Sequence, residues 1–332
     1  MRPMSLLPIL RCLLIACLLP TAAPAAAATG IVQLQVHEPT TDTRMPAMLF
    51  YPSPARGAPT RIGPYVVDAS FGLPRQTGPH PLVLISHGHG GSALGHHPLA
   101  VALAEAGFLV AAIEHAGDSH LDQSGFGTER VLLGRAWQVS SLLDTLLADP
   151  EWAALIDPHR IGVTGFSAGG HTALALLGAE PDPAHRLRYC QQHPQDEELC
   201  LQAPADAPAL EQRRPLQDSR VRAAFLMAPL AVFYDAQALA QVQRPVFLHA
   251  AMADDVLLPR WNALAVRDGV AALRDWRAVV GAGHYVYLAP CPPPLATALP
   301  TLCSDPPGVD RRRVQAQLAG EAIDFFQQTL RR

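Results

Sequence analysis

Short apolar runs that alternate with helix-period segments leave this chain few ways to fold. Pro81-Leu-Val-Leu-Ile-Ser86 precedes a helical pattern near 96–106, and Phe108-Leu-Val-Ala-Ala-Ile113 precedes one near 129–149. Arg160-Ile-Gly-Val-Thr-Gly165 precedes a third near 168–178. The runs Val221–Met227, Pro245–Ala250 and Trp276–Val280 continue the series, and an amphipathic segment at 312–330 closes it. A strand that is apolar along its whole length must be covered on both faces. The alternation therefore predicts an α/β fold, with a mostly parallel central sheet and helices on both faces. Ahead of the series, Ile31–Val36 alternates apolar and polar, and with Ala47–Tyr51 it predicts an antiparallel hairpin at a sheet edge. Residues 52–80, rich in Gly and Pro, read as a surface connection. The polar, proline-rich segment 180–218 breaks the rhythm. It is expected to be a small lid-like insertion over the C-terminal ends of the strands, where such sheets bind ligands.

The first residues read as an address rather than as fold. Arg2 and Arg11 flank a short apolar stretch, Cys12–Leu19 is too short to span a bilayer, and Thr21–Ala28 supplies small residues of the A-x-A kind. The expectation is a signal peptide over 1–28, then a single domain over 29–332 that is periplasmic or secreted and has no stable membrane span. An uncleaved anchor, or a lipoprotein attached at Cys17 through Leu14-Ile-Ala-Cys17, are the alternatives. The remaining cysteines form two close pairs, Cys190/Cys200 and Cys291/Cys303. In an exported chain such pairs predict disulfides, each closing a short loop worth roughly 2–3 kcal/mol. The competing metal reading lacks the C-x-x-C spacing that thiolate sites prefer.

All 25 basic residues are arginine. That removes a P-loop lysine, a Schiff-base lysine and a Ser-Lys dyad together. A net charge of −4 gives no basic surface for nucleic acid.

Chemistry concentrates at the ends of the predicted strands. Gly165-Phe-Ser-Ala-Gly169 is G-x-S-x-G between a predicted strand and a predicted helix. The tight turn needs its glycines and leaves the Ser167 hydroxyl exposed as a nucleophile. The Ala168 N–H, at the helix start, is aimed where an oxyanion would form. A second donor is expected from Ser86-His-Gly-His-Gly-Gly91, namely the backbone N–H of His89. His87, His89, His96 and His97 could instead suggest a metal cluster, but His96 and His97 are adjacent and no carboxylate lies among them, so no metal is assigned. In the chain order Ser…Asp/Glu…His, the base is His284 in Gly281-Ala-Gly-His284. The acid is Asp254 or Asp255. Spacing from Pro245 favours Asp254, which is taken here, and spacing to Pro259 favours Asp255.

With these residues in hand, the chain resembles exported bacterial α/β-hydrolases of the branch described as predicted dienelactone hydrolases and as platelet-activating-factor-acetylhydrolase-like. The matching stretches are Met48–Pro52, Ile85–Gly91, Ile113–Gly117, Gly165–Gly170 and Gly281–Cys291, with the tail through Cys303, Asp310-Arg311 and Phe325-Phe326. The resemblance implies the α/β-hydrolase fold and hydrolysis of carboxylic esters, on a small-molecule or lipid-like substrate, with no metal or organic cofactor. It departs at one point: true dienelactone hydrolases carry a cysteine nucleophile where this chain has Ser167, so an ordinary serine esterase is expected instead. A peptidase or amidase on the same three residues, and a non-catalytic binding protein on the same scaffold, are the rival expectations. An ester and an amide of one acid separate the first; labelling by a fluorophosphonate separates the second.

Overall fold

The computed structural model describes residues 28–41, 43–200 and 214–331. The expected signal peptide and Cys17 lie outside them, apart from Ala28, as does most of the second half of the 180–218 excursion. The strands are β1 (Ala28–His37), β2 (Arg44–Ser53), β3 (Thr60–Ile62), β4 (Tyr65–Val67), β5 (Ser70–Phe71) and β6 (His80–Ser86). They continue with β7 (Leu109–Ile113), β8 (Ile156–Phe166), β9 (Val221–Met227), β10 (Val246–Ala251) and β11 (Leu273–Val279). Nine of them form one sheet in the order β11-β10-β9-β8-β6-β7-β2-β1-β5, and β3 and β4 make a separate hairpin. From β7 through β6, β8, β9 and β10 to β11 every pairing is parallel. The β1–β2 hairpin joins this core antiparallel through β2 and β7.

Two expectations need correction. The β1–β2 hairpin does not end the sheet, because the two-residue β5 pairs with β1 beyond it. The 52–80 connection is also not devoid of strands, since it holds β3, β4 and β5. Strands of two or three residues are too short to carry a period-two signal. At the other edge, β11 begins at Leu273, three residues before its apolar run, because Leu273-Arg-Asp275 is the polar start of an edge strand with few buried side chains.

The sheet is covered on both faces because neighbouring residues of each strand point opposite ways. Leu82, Leu84, Leu109, Ala111, Ile161, Val163 and Leu226 pack on one side with helices Glu129–Ala148 and Ala168–Leu176. Val83, Ile85, Val110, Ala112 and Phe225 pack on the other with helices His97–Glu105 and Arg311–Thr329. Gly162 allows the second arrangement: a Cβ there would sit 2.5 Å from the ring of Phe326 on the C-terminal helix. Thr128 caps the long helix through Val131 N–H, and Asp310 caps the last one through the N–H groups of Arg312 and Arg313.

The disulfides Cys190–Cys200 and Cys291–Cys303 are both formed. The first joins the helices Pro183–Gln192 and Glu197–Cys200 of the excursion. The second lies just beyond the turn His284–Tyr287.

Candidate active site

The turn from β8 into helix Ala168–Leu176 is as tight as its glycines require. A Cβ on Gly165 would overlap the carbonyl of Gly169, and one on Gly169 would overlap the carbonyl of Ser86. Ser167 itself sits at φ 56° and ψ −118°, a left-handed backbone that a side chain adopts only under strain. Surrounding hydrogen bonds hold it there: Ser167 N–H donates to the Met227 carbonyl at 3.0 Å, and Leu230 N–H donates to the Ser167 carbonyl at 2.9 Å.

His284 and Asp254 are brought together by the loops after β11 and β10. These loops are joined by two backbone bonds, Met252 N–H to Val279 O at 3.1 Å and Ala253 N–H to Ala282 O at 2.9 Å. Both side chains are buried, and His284 Nδ1 lies 2.7 Å from Asp254 Oδ2. The other carboxylate oxygen accepts the N–H groups of Val256 at 3.0 Å and Leu257 at 2.7 Å. Asp255 is exposed and makes no such contact with His284. The imidazole packs 4.8 Å from the ring of Phe166, the residue before Ser167, which sets it beside the serine. Among the described residues no hydrogen bond joins the Ser167 hydroxyl to His284. From below, Gln315 of the C-terminal helix donates to the Val286 carbonyl at 2.9 Å and fixes the turn that carries His284.

The loop after β6 passes directly over the nucleophile. A Cβ on Gly88 would come 3.2 Å from Ser167 Cβ and 2.9 Å from the Phe166 ring. His89 follows, and with Ala168 and Ser167 it lines one cavity. Its ring stacks 3.9 Å from Phe126, and its Nδ1 bonds to Asp118.

Beneath this loop runs a buried polar network that sequence reasoning did not find. Arg135, in the middle of helix Glu129–Ala148, is 1% exposed. It donates to Asp118 Oδ2 at 2.6 Å, to Thr172 Oγ1 at 3.1 Å and to the His87 carbonyl. His115 bridges Ser86 Oγ at 2.8 Å and Gln138 Oε1 at 2.7 Å. Burial alone would raise the Asp118 carboxyl, but the guanidinium of Arg135 and the His89 contact hold it below its ordinary value. Burial, reinforced by Arg135, pushes His87 down to about 3 and His115 well down, so both stay neutral. The available signal was Arg135 itself, a charge among Leu132, Leu133, Ala136 and Val139 on an otherwise apolar helix face.

The four histidines weighed as a metal cluster point apart: His87 bonds the Gly88 carbonyl and His96 the Tyr287 carbonyl. Among the described residues no group of three or more His, Cys, Asp or Glu side chains is placed to hold a metal ion.

A glycine-walled serine elbow, a buried His–Asp pair and a parallel sheet in this order can be compared with known proteins. The solved structure of a ferulic acid esterase from Streptomyces cinnamoneus superposes with a TM-score of 0.63, covering 93% of this chain and 92% of that one at 21% identity. The chain shares the α/β fold of that esterase. Within that fold, the sequence profile of the family described as platelet-activating factor acetylhydrolase, isoform II, matches residues 60–128. The matched stretch includes β6, the loop over Ser167 and Asp118. No curated protein matches the chain by sequence. Among the described residues, no helix is long and apolar enough to cross a membrane.

Proposed function

We propose that the chain is a serine esterase that hydrolyses carboxylic esters through an acyl-enzyme intermediate. The observation that carries the reading is the buried Asp254–His284 pair beside a serine held in a strained elbow. With Nδ1–H given to Asp254, His284 keeps Nε2 free to accept a proton. Ser167 Oγ attacks the ester carbonyl as His284 takes its proton, and the bond between them forms as substrate seats, a closure common in unliganded sites. The N–H groups of Ala168 and His89 receive the oxyanion. Neither of these N–H groups has an acceptor among the described residues, which supports the assignment. The alcohol leaves with the proton from His284, and water, activated by the same imidazole, then releases the acid and restores Ser167. None of these steps calls on a cofactor, a metal or a nucleic acid.

The ester is a small-molecule or lipid-like one. The profile match to an acetylhydrolase family and the fold shared with a ferulic acid esterase both support ester chemistry. The two disulfides support a periplasmic or secreted location reached through a signal peptide at 1–28, with the hydrolase as a single domain and 180–218 as its lid-like insertion.

Hydrolysis of 4-nitrophenyl butyrate tests the proposal. Ser167→Ala and His284→Ala should each reduce kcat by about 10⁴-fold or more while melting like the parent, and the double variant should be no slower than either, because the two groups act as one unit. A double variant far slower than both singles would mean that they serve different steps.

A further inference from the structure

The His89 side chain is held by more than its own loop. Its Nδ1 meets Asp118, a buried carboxylate whose other oxygen is fixed by Arg135 at 2.6 Å. Phe126 covers one face of the ring, with centroids 3.9 Å apart. The loop that carries it is tied down farther along, where Ala93 N–H donates to Glu114 Oε2 at 2.8 Å and His120 N–H donates to the Gly91 carbonyl at 2.9 Å. The imidazole is nevertheless not shut away. Its side chain is 28% exposed and lines the cavity that Ser167 and Ala168 also line. Among the described residues, His89 Nε2 has no hydrogen-bond partner.

An anchor for the loop needs only the bond to Asp118, which the amide of an asparagine could also make. An imidazole adds a second nitrogen. Because Asp118 accepts from Nδ1–H, Nε2 of the neutral ring is a bare acceptor on the cavity. We infer that His89 Nε2 binds a hydroxyl group of the substrate, so that the enzyme favours esters with a hydroxyl close to the scissile carbonyl, on the acyl or the alcohol side. The inference rests on the esterase reading above and gives the His89 side chain a role beyond its backbone N–H. The lining sets Arg135 and Arg186 against Asp118 and Glu129, so an uncharged donor suits it better than an ion. An acceptor already fixed in place costs little further ordering when the hydroxyl binds.

The test compares each enantiomer of ethyl 3-hydroxybutanoate with ethyl butanoate, and 2-hydroxyethyl butanoate with propyl butanoate, with monoethyl succinate as the anionic control. In at least one pair the parent should favour the hydroxylated ester by about threefold to tenfold in kcat/KM, and the pair that responds gives the side of the ester that His89 meets. His89→Asn can still donate to Asp118 but places no acceptor where Nε2 stood, so the ratio should fall to about one. His89→Gln, whose amide reaches that place, should keep part of it. Partial loss of folded enzyme moves none of these ratios. No preference in the parent, a ratio kept in His89→Asn, or a preference for monoethyl succinate that His89→Asn abolishes would overturn the inference. In Ser167→Ala, ¹⁵N NMR should find His89 Nε2 unprotonated, with a resonance that moves on adding the preferred hydroxy ester and not its match. Such a move in a protein whose parent hydrolyses no ester would keep the binding assignment and defeat the esterase reading. Ester hydrolysis with no hydroxyl preference would do the reverse.

Discussion

Asp254 and Asp255 are neighbours in sequence and opposites in surroundings. Asp254 is buried, with one oxygen on His284 and the other on two backbone N–H groups, whereas Asp255 is exposed. Replacing the carboxylate by an amide at 254 keeps the shape but presents either a carbonyl or an NH₂ to Nδ1, and the second of these forces the wrong tautomer. Asp254→Asn should therefore lower kcat by about 10³- to 10⁴-fold, and Asp255→Asn by less than about threefold. Steady-state kinetics on both variants decides between them; reversed losses would move the acid to Asp255. The two spacings available from the sequence pointed to different aspartates, because strand-end position fixes a side chain's register only to within a residue. Backbone hydrogen bonds from Val256 and Leu257 are what select the orientation, and they are invisible before the loop is folded.

Between elements, the loop over Ser167 is held by side chains that lie far apart in the chain. The elbow was legible because its cause is local: five residues, a strand before and a helix after. The support under the His87–Gly90 loop was not, because Arg135, Asp118, His115 and Thr172 meet only after helix Glu129–Ala148 packs against β1, β7 and helix Ala168–Leu176. Removing Arg135 leaves Asp118 buried without its counter-charge, and breaking such a pair costs about 3–5 kcal/mol. Arg135→Met should lose about that much in urea unfolding, and the surviving folded enzyme should show a lower kcat at little-changed KM, since in the proposed mechanism the loop offers its N–H to the oxyanion. Arg135→Lys, which keeps the charge but loses the fork, should recover part of both. Parent-like stability in Arg135→Met would show that the network carries no load. The disulfides belong to this scale as well, and they were readable from the close spacing of the cysteines in a chain read as exported, because each closes a short loop.

At the scale of the whole molecule, the alternation of apolar runs and helix patterns was enough to anticipate a two-faced parallel sheet, while β3, β4 and β5 escaped notice for lack of length. The same burial that covers both faces also shuts histidines away from water. His87 is pushed down to about 3, and His96 and His171 to about 4, in each case chiefly by burial. A histidine whose value falls on folding binds more protons when unfolded, so its contribution is complete above about 6.5 and erodes as pH drops towards 4. Each should subtract about 1.4 kcal/mol per pH unit in that window. Melting temperature should accordingly hold from pH 8 to 7 and fall steeply between 6 and 4; a flat profile down to pH 5 would contradict the neutral, buried assignment. The central claim is that one serine of the folded molecule is a nucleophile driven by His284, and intact-protein mass spectrometry after brief exposure to a fluorophosphonate tests it most directly. The account predicts a single adduct, mapped to the peptide containing Ser167 and nearly absent in His284→Ala. No adduct on the parent, or an adduct on a different residue, would contradict it.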